Sequence, residues 1–132
     1  PIKKPIDILF LGDSITHGYA TKCTSLTYAN ILSRISDADS LNQAVAGDVF
    51  NADNLDEALP FDPDLIFVAY GTNDWWGGRN ITNSGKKYLD KLVKIYPNKK
   101  IYLILPIYRL DCKDEQPNAL MPFEEFRVVL KE

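Results

Sequence analysis

The chain has 132 residues, enough for one domain with a core of its own and too few for two. Apolar residues make up 45% and charged residues 25%, the balance of a soluble globular protein. The net charge of −3 argues against a nucleic-acid binder, which would show a basic face or stripe. Lys3-Lys4, Lys86-Lys87 and Lys99-Lys100 are short, scattered and read as solvated surface. No apolar stretch nears the ~18–20 residues of a membrane span. The chain begins at Pro1 without an initiator Met, so the compartment stays open between cytoplasm and exterior. Cys23 and Cys112 read as two free thiols, and no C-x-x-C or zinc-ligand spacing is present.

Short apolar runs alternate with helical patterns, the signature of βαβ units and a parallel sheet. The first strand is Ile6 to Leu11. A helical pattern from Ser25 to Ile35 follows, with Tyr28, Ile31, Leu32 and Ile35 at helical spacing. The second strand runs from Ser40 to Val45 and leads to Gly47. A short helix over Ala52 to Leu59 is broken by Pro60-Phe61-Asp62-Pro63. The third strand, Leu65 to Tyr70, is nearly all apolar, as for a strand buried on both faces. A helix over Thr82 to Tyr96 turns Tyr88, Leu89, Leu92, Val93 and Tyr96 to one side. The fourth strand is Ile101 to Ile107, and a polar loop, Asp111 to Pro117, precedes a last helix with Phe123, Phe126, Val129 and Leu130. Right-handed crossovers then give a flavodoxin-like three-layer α/β/α sandwich on four parallel strands, in the order 2-1-3-4.

In such a sheet the ligand site lies at the carboxyl ends of the strands. Three loops meet there. The first, Gly12-Asp13-Ser14-Ile15-Thr16, sets a serine on the sharp turn from strand to helix, the placement of a nucleophile. The second, Asn42 to Asp48, offers the backbone N–H of Gly47, unshielded by a side chain. The third, Gly71-Thr72-Asn73-Asp74, offers the Asn73 amide. A serine among hydrogen-bond donors is the layout of acyl transfer, in which losing one donor costs on the order of 10²–10³ in rate. Asp13, Asp48 and Asp74 read first as residues that order these loops, with Asp13 also a candidate substrate contact. Trp75 and Trp76, before Gly77-Gly78, are candidates for a stacking wall, and Tyr19 and Arg79 for the rim. Tyr28, Tyr88 and Tyr96 read as packing.

Together these blocks resemble the SGNH, or GDSL-type, hydrolase family. The resemblance rests on Gly12-Asp13-Ser14-Ile15-Thr16, on Gly47 and on Gly71-Thr72-Asn73-Asp74, each at the end of an expected strand. It implies an esterase that works through an acyl-enzyme on Ser14, with the Ser14 and Gly47 N–H groups and the Asn73 amide as oxyanion hole. It implies no metal or organic cofactor. The partner is a small ester substrate: an O-acetylated carbohydrate first, a lysophospholipid or thioester second.

Two departures stand out. Ala44 occupies a position where the family commonly has glycine. The family's Asp-x-x-His block, beyond a fifth strand, is missing, and Asp111 and Asp114 have no histidine at that spacing. The one histidine, His17, follows Ser14 by three residues and reads as a polar residue at the mouth of the cleft. The expectation is that residues 1–132 are a C-terminally truncated domain, crippled in activity because losing a triad member costs ~10⁴–10⁶ in kcat. The fourth strand would then be an exposed edge, open to self-association. Two other classes stay open. One is a non-catalytic domain binding phosphate or flavin through Ser14-Ile15-Thr16-His17-Gly18. The other is an inactive interaction module.

Overall fold

The computed structural model describes residues 2–108 and 116–132. Four strands, β1 (Ile6–Gly12), β2 (Ala38–Asn42), β3 (Leu65–Ala69) and β4 (Lys100–Leu103), form one sheet. All pairings are parallel and the order is β2-β1-β3-β4, as expected. The helices are α1 (Ser14–His17), α2 (Tyr28–Ile35), α3 (Thr72–Trp76), α4 (Ile81–Ile95) and α5 (Phe123–Val129). Among the described residues no helix is long and apolar enough to cross a membrane.

The period of two along the central strands divides the core. Leu9, Leu11, Ile66, Val68 and Tyr70 share one face with Ile81, Tyr88 and Leu92 of α4 and Phe123 and Phe126 of α5. Ile8 and Phe10 face the other way onto Ala29 of α2, with Leu65 and Phe67 beside them. Helices therefore cover both faces, giving the three layers. Each fully buried large side chain contributes about 1.5–3 kcal/mol, so the larger cluster carries most of the stability.

Several bounds differ from the sequence reading. Strand β2 spans Ala38–Asn42, not Ser40 to Val45, although Gln43 and Val45 still donate to the Phe10 and Gly12 carbonyls. Strand β4 stops at Leu103, short of Ile107. The helix expected over Ala52 to Leu59 is a single 3-10 turn, Ala52–Asn54, started by Asn51. Helix α2 begins at Tyr28, where the Thr27 hydroxyl accepts from the Asn30 N–H at 3.2 Å. Its buried stripe is Ala29 and Ser33, because Ser33 bonds Ser40 of β2; Ile35, read as core, is 75% exposed. Val93 of α4 is likewise exposed. Cys112, Asp111 and Asp114 lie outside the described residues.

Parallel strands send every carboxyl end to the same edge of the sheet. Ser14, the 43–48 segment and the 70–74 segment therefore emerge side by side. Gly12 makes the closest approach possible: a Cβ there would stand 2.3 Å from Thr16 Oγ1 and 2.9 Å from the Ala69 carbonyl. Only glycine lets β1, its turn and the end of β3 pack together at that point.

Candidate active site

Ser14 opens α1. Asp13 is its N-cap, buried, with its carboxylate accepting the Ile15 N–H at 2.9 Å. The Ser14 carbonyl accepts from both Gly18 and Tyr19, closing the short helix at once. Thr16 is fully buried, and its hydroxyl pairs with the Tyr28 hydroxyl at 2.8 Å. Tyr28 is thus no simple packing residue. It is half-buried and borders a cavity, unlike Tyr88 and Tyr96, which are core. His17 is exposed, and its Nδ1 lies 3.3 Å from the Ala44 carbonyl.

The second loop is tied down at both ends. Asn42 reaches across to the Thr16 carbonyl at 3.0 Å and accepts from the Ala44 N–H. The Asp48 N–H returns to the Val45 carbonyl, closing a turn with Gly47 at φ +83°. That left-handed geometry suits glycine. Gly47 is exposed, and a Cβ on it would meet nothing within 4 Å, so no neighbouring side chain crowds this turn.

The third loop turns at once into a short helix, α3. Gly71 caps α3, and Asn73 stands in its first turn. The Asn73 side-chain amide donates to the Asp48 carbonyl at 2.8 Å, which leaves its second N–H for an incoming oxygen. Asp48 itself accepts from Asn54 at 2.8 Å and from the Tyr70 hydroxyl at 3.3 Å. Burial pushes the Tyr70 phenol up and keeps it a donor. Asp74 has no exposed surface; both carboxylate oxygens take the Phe50 N–H at 3.2 Å. Arg79 Nε lies 3.4 Å from the same carboxylate. The structure thus brings Ser14, Gly47 and Asn73 to one edge and joins the last two through Asp48.

The paired tryptophans separate. Trp75 is in the core, its indole N–H spent on the Met121 carbonyl at 2.9 Å and its ring against Phe123. Trp76 is 46% exposed. It follows Asn73 by three residues and so lies on the same side of α3. Sequence reasoning missed the part of Tyr70 in this edge. An apolar strand ending in Tyr gives no sign that the hydroxyl finds a carboxylate on another loop.

Two cavities adjoin the cluster. An apolar one of about 370 Å³ is lined by Ile15, Tyr19, Tyr28, Tyr70 and Pro106, with Asp13 at its wall. A polar one of about 480 Å³ is lined by Phe50, Asn51, Asp53, Arg79, Asn80 and Lys87. The neighbours of Ser14 face the first. The two residues that Asp74 holds, Phe50 and Arg79, face the second.

Residues 10–125 match the GDSL-like Lipase/Acylhydrolase family, and the chain belongs to that family. No curated protein sequence matches it. Among solved structures it is similar to a possible lipase from Chitinophaga pinensis, with 25% identity and a TM-score of 0.71 over 96% of this chain and 63% of that one. It is similar in fold to a family two carbohydrate esterase from Clostridium thermocellum in complex with cellohexaose: 17% identity, TM-score 0.66, 83% of this chain and 46% of that one. An acetyl xylan esterase, AlAXEase, gives 22% identity and a TM-score of 0.64 over 96% of this chain and 71% of that one. The chain therefore spans less than two thirds of the length of the first two.

The burial of Asp74 has a consequence for pH. Desolvation raises its carboxyl from 3.8 to about 6, against the opposing pull of the Phe50 N–H and Arg79. Between those values the folded chain holds a proton that the unfolded chain has lost. Stability from this group is therefore complete at low pH and falls as pH rises through about 6. Relative to Asp74→Asn, the unmodified chain should lose on the order of 3 kcal/mol from about pH 3.5 to about pH 7. Urea unfolding of both proteins across that range checks it. A relative gain by the unmodified chain would contradict the sign.

Proposed function

We propose that this chain carries the nucleophile and oxyanion hole of a serine esterase. Ser14 Oγ attacks an ester carbonyl, an acyl–oxygen bond forms, and the alcohol leaves with the serine proton. Water then releases the acid and restores Ser14. The Ser14 N–H, the Gly47 N–H and the Asn73 amide take the charge on the carbonyl oxygen. The observation that carries this reading is the Asn73 amide, anchored by one N–H on the Asp48 carbonyl beside Gly47. Nothing about a phosphate or flavin site calls for that arrangement.

The base comes from an Asp-x-x-His block beyond residue 132 on this reading, because His17 is turned to the Ala44 carbonyl. The substrate is an O-acetylated carbohydrate. Support comes from the polar cleft beside Phe50 and Arg79, from Trp76 exposed near Asn73, and from neighbours that are carbohydrate esterases. Asp13 holds the nucleophile turn and borders the acyl side. The apolar cavity favours a second reading, a longer acyl chain, to be told apart by comparing acetyl with octanoyl esters.

Chemical rescue tests the core of this proposal on the chain as it stands. After subtraction of the hydrolysis that imidazole alone causes, turnover of p-nitrophenyl acetate by the chain should be slow, rise at least ~10-fold with added imidazole, and fall to that background in Ser14→Ala. Full activity without imidazole that His17→Ala abolishes would overturn the assignment of the base. On acetylated xylo-oligosaccharide, Trp76→Ala should raise KM about 10-fold while leaving p-nitrophenyl acetate unaffected, as loss of one stacking contact does. Equal effects on both substrates would remove Trp76 from the sugar site.

The self-association expected from sequence rests on β4, an edge strand whose Tyr102 is 47% exposed. Light scattering should show dimers or larger species that Tyr102→Lys dissociates. A clean monomer at high concentration would count against it.

A further inference from the structure

We propose that Asp74 is a positioning residue for the oxyanion hole: its carboxylate grips the Phe50 N–H and thereby holds the Gly47 turn against Asn73. The inference rests on the roles proposed above for Ser14, Gly47 and Asn73.

The turn that carries Gly47 is tied on both sides, at Asp48 by Asn73, Tyr70 and Asn54 and through the backbone beyond it. Upstream, the Val45 N–H bonds the Gly12 carbonyl at 3.0 Å, fixing it to the nucleophile strand. Downstream, the first backbone donor after Asp48 with a partner on α3 is Phe50, and that partner is Asp74. Gly47 has no side chain and is exposed, so it has no packing of its own to hold it. Its N–H can be placed only by these flanking bonds. Asn73 and Asp74 are adjacent and hold the same segment at two points, the Asp48 carbonyl and the Phe50 N–H. Both oxyanion donors are thereby referred to one turn of α3.

The chemistry of the clamp fits the task. A carboxylate that accepts a backbone N–H makes a charge-assisted bond, about twice as strong as a neutral one. Arg79 supplies the counter-charge from the rim, and its own N–H donates to the Asp74 carbonyl at 2.9 Å. The group is wholly buried, and an apolar side chain of similar volume is the usual way to fill such a space at lower cost. Packing alone does not call for an anion here. Fixing the Phe50 N–H does. The Phe50 ring adds a second hold, edge-on to Tyr88 and tilted on Tyr70.

The test uses the chain with imidazole as base and two substrates, p-nitrophenyl acetate and its thionocarbonyl analogue. Sulfur is larger and a weaker acceptor, so the oxygen-to-sulfur rate ratio reports the fit of the oxyanion hole. A merely structural role would lower the folded fraction and both rates together, leaving the ratio unchanged. Asp74→Ala should cut kcat for the oxygen ester ~10–100-fold, with KM nearly constant, and lower the ratio by a similar factor, as a sub-ångström misplacement does. Asp74→Asn keeps an acceptor for the Phe50 N–H and should restore most of the ratio. Asp74→Leu matches the volume without an acceptor and carries the test if the alanine variant does not fold. Adding Asp74→Ala to Asn73→Ala should cost far less than it does alone. An unchanged ratio in Asp74→Ala or Asp74→Leu, with a collapsed ratio in Asn73→Ala, would overturn this inference and leave the site intact. A ratio unmoved by Asn73→Ala as well would overturn the oxyanion-hole reading itself.

Discussion

The candidate site depends on the junction between two loops. The segment after β2 and the segment after β3 are joined by the Asn73–Asp48 and Phe50–Asp74 hydrogen bonds. Each loop alone would be a surface connection of the kind that varies in conformation. Joined, they present Gly47 and Asn73 at a fixed separation. An oxyanion hole acts through dipoles already aimed before charge develops, and on the proposed reading this fixity is what the site would use. The sheet contributes by sending β1, β2 and β3 to the same edge, and Gly12 by letting them crowd there.

Polar groups are concentrated where the core reaches this edge. Behind it, Leu9, Leu11, Ile66, Val68 and the rings of Phe50, Tyr70 and Tyr88 form a continuous apolar cluster. Tyr70 bridges the two regimes: its ring packs on Phe50 and Tyr88, and its hydroxyl meets Asp48. Rigid aromatic packing is thus transmitted to the loop through one hydrogen bond. The buried Asp74 anion is the costly member of the network, and its expense is tolerable because the surrounding core is large. A buried carboxylate breaks the local rule of burial at this edge, as is common at functional sites.

Much of the fold was legible because β1 and β3 are apolar on both faces and helical patterns alternate with them. Strand order followed from right-handed crossovers. The failures share one cause. Ile35 and Val93 fit a helical apolar stripe by spacing but not by packing: on α2 Ser33 meets Ser40 and Ala29 and Ser33 are buried, and on α4 the buried residues are Ile81, Gly85, Tyr88 and Leu92. Ala52 to Leu59 has helical composition, yet Asn51 starts only one 3-10 turn before the backbone extends at Leu55. Of the candidate site, Ser14, Gly47 and Asn73 were legible because their neighbours in sequence form recognisable blocks. Trp75 and Trp76 were not separable, because adjacent helical residues point about 100° apart and only the α5 side of the core decides which is buried. Asp48 and Asp74 read as loop-ordering residues, but their partners Tyr70, Asn73 and Phe50 were invisible because each lies more than 20 residues away in sequence.

The division between what is local and what is not also bears on how such a site divides its labour. Ser14, Gly47 and Asn73 each belong to a loop that directly follows a strand of one sheet, so they assemble as the sheet assembles. A base is a different problem. It must approach the Ser14 hydroxyl from outside the turn that presents it, whereas His17 rides on that same turn. His17 closes the four-residue helix ahead of Gly18, and its Nδ1 lies 3.3 Å from the Ala44 carbonyl. That contact fastens α1 to the second loop. The one histidine of the chain thus bridges α1 to the second loop as Asn42 does, and on the proposed reading the base reaches Ser14 from elsewhere.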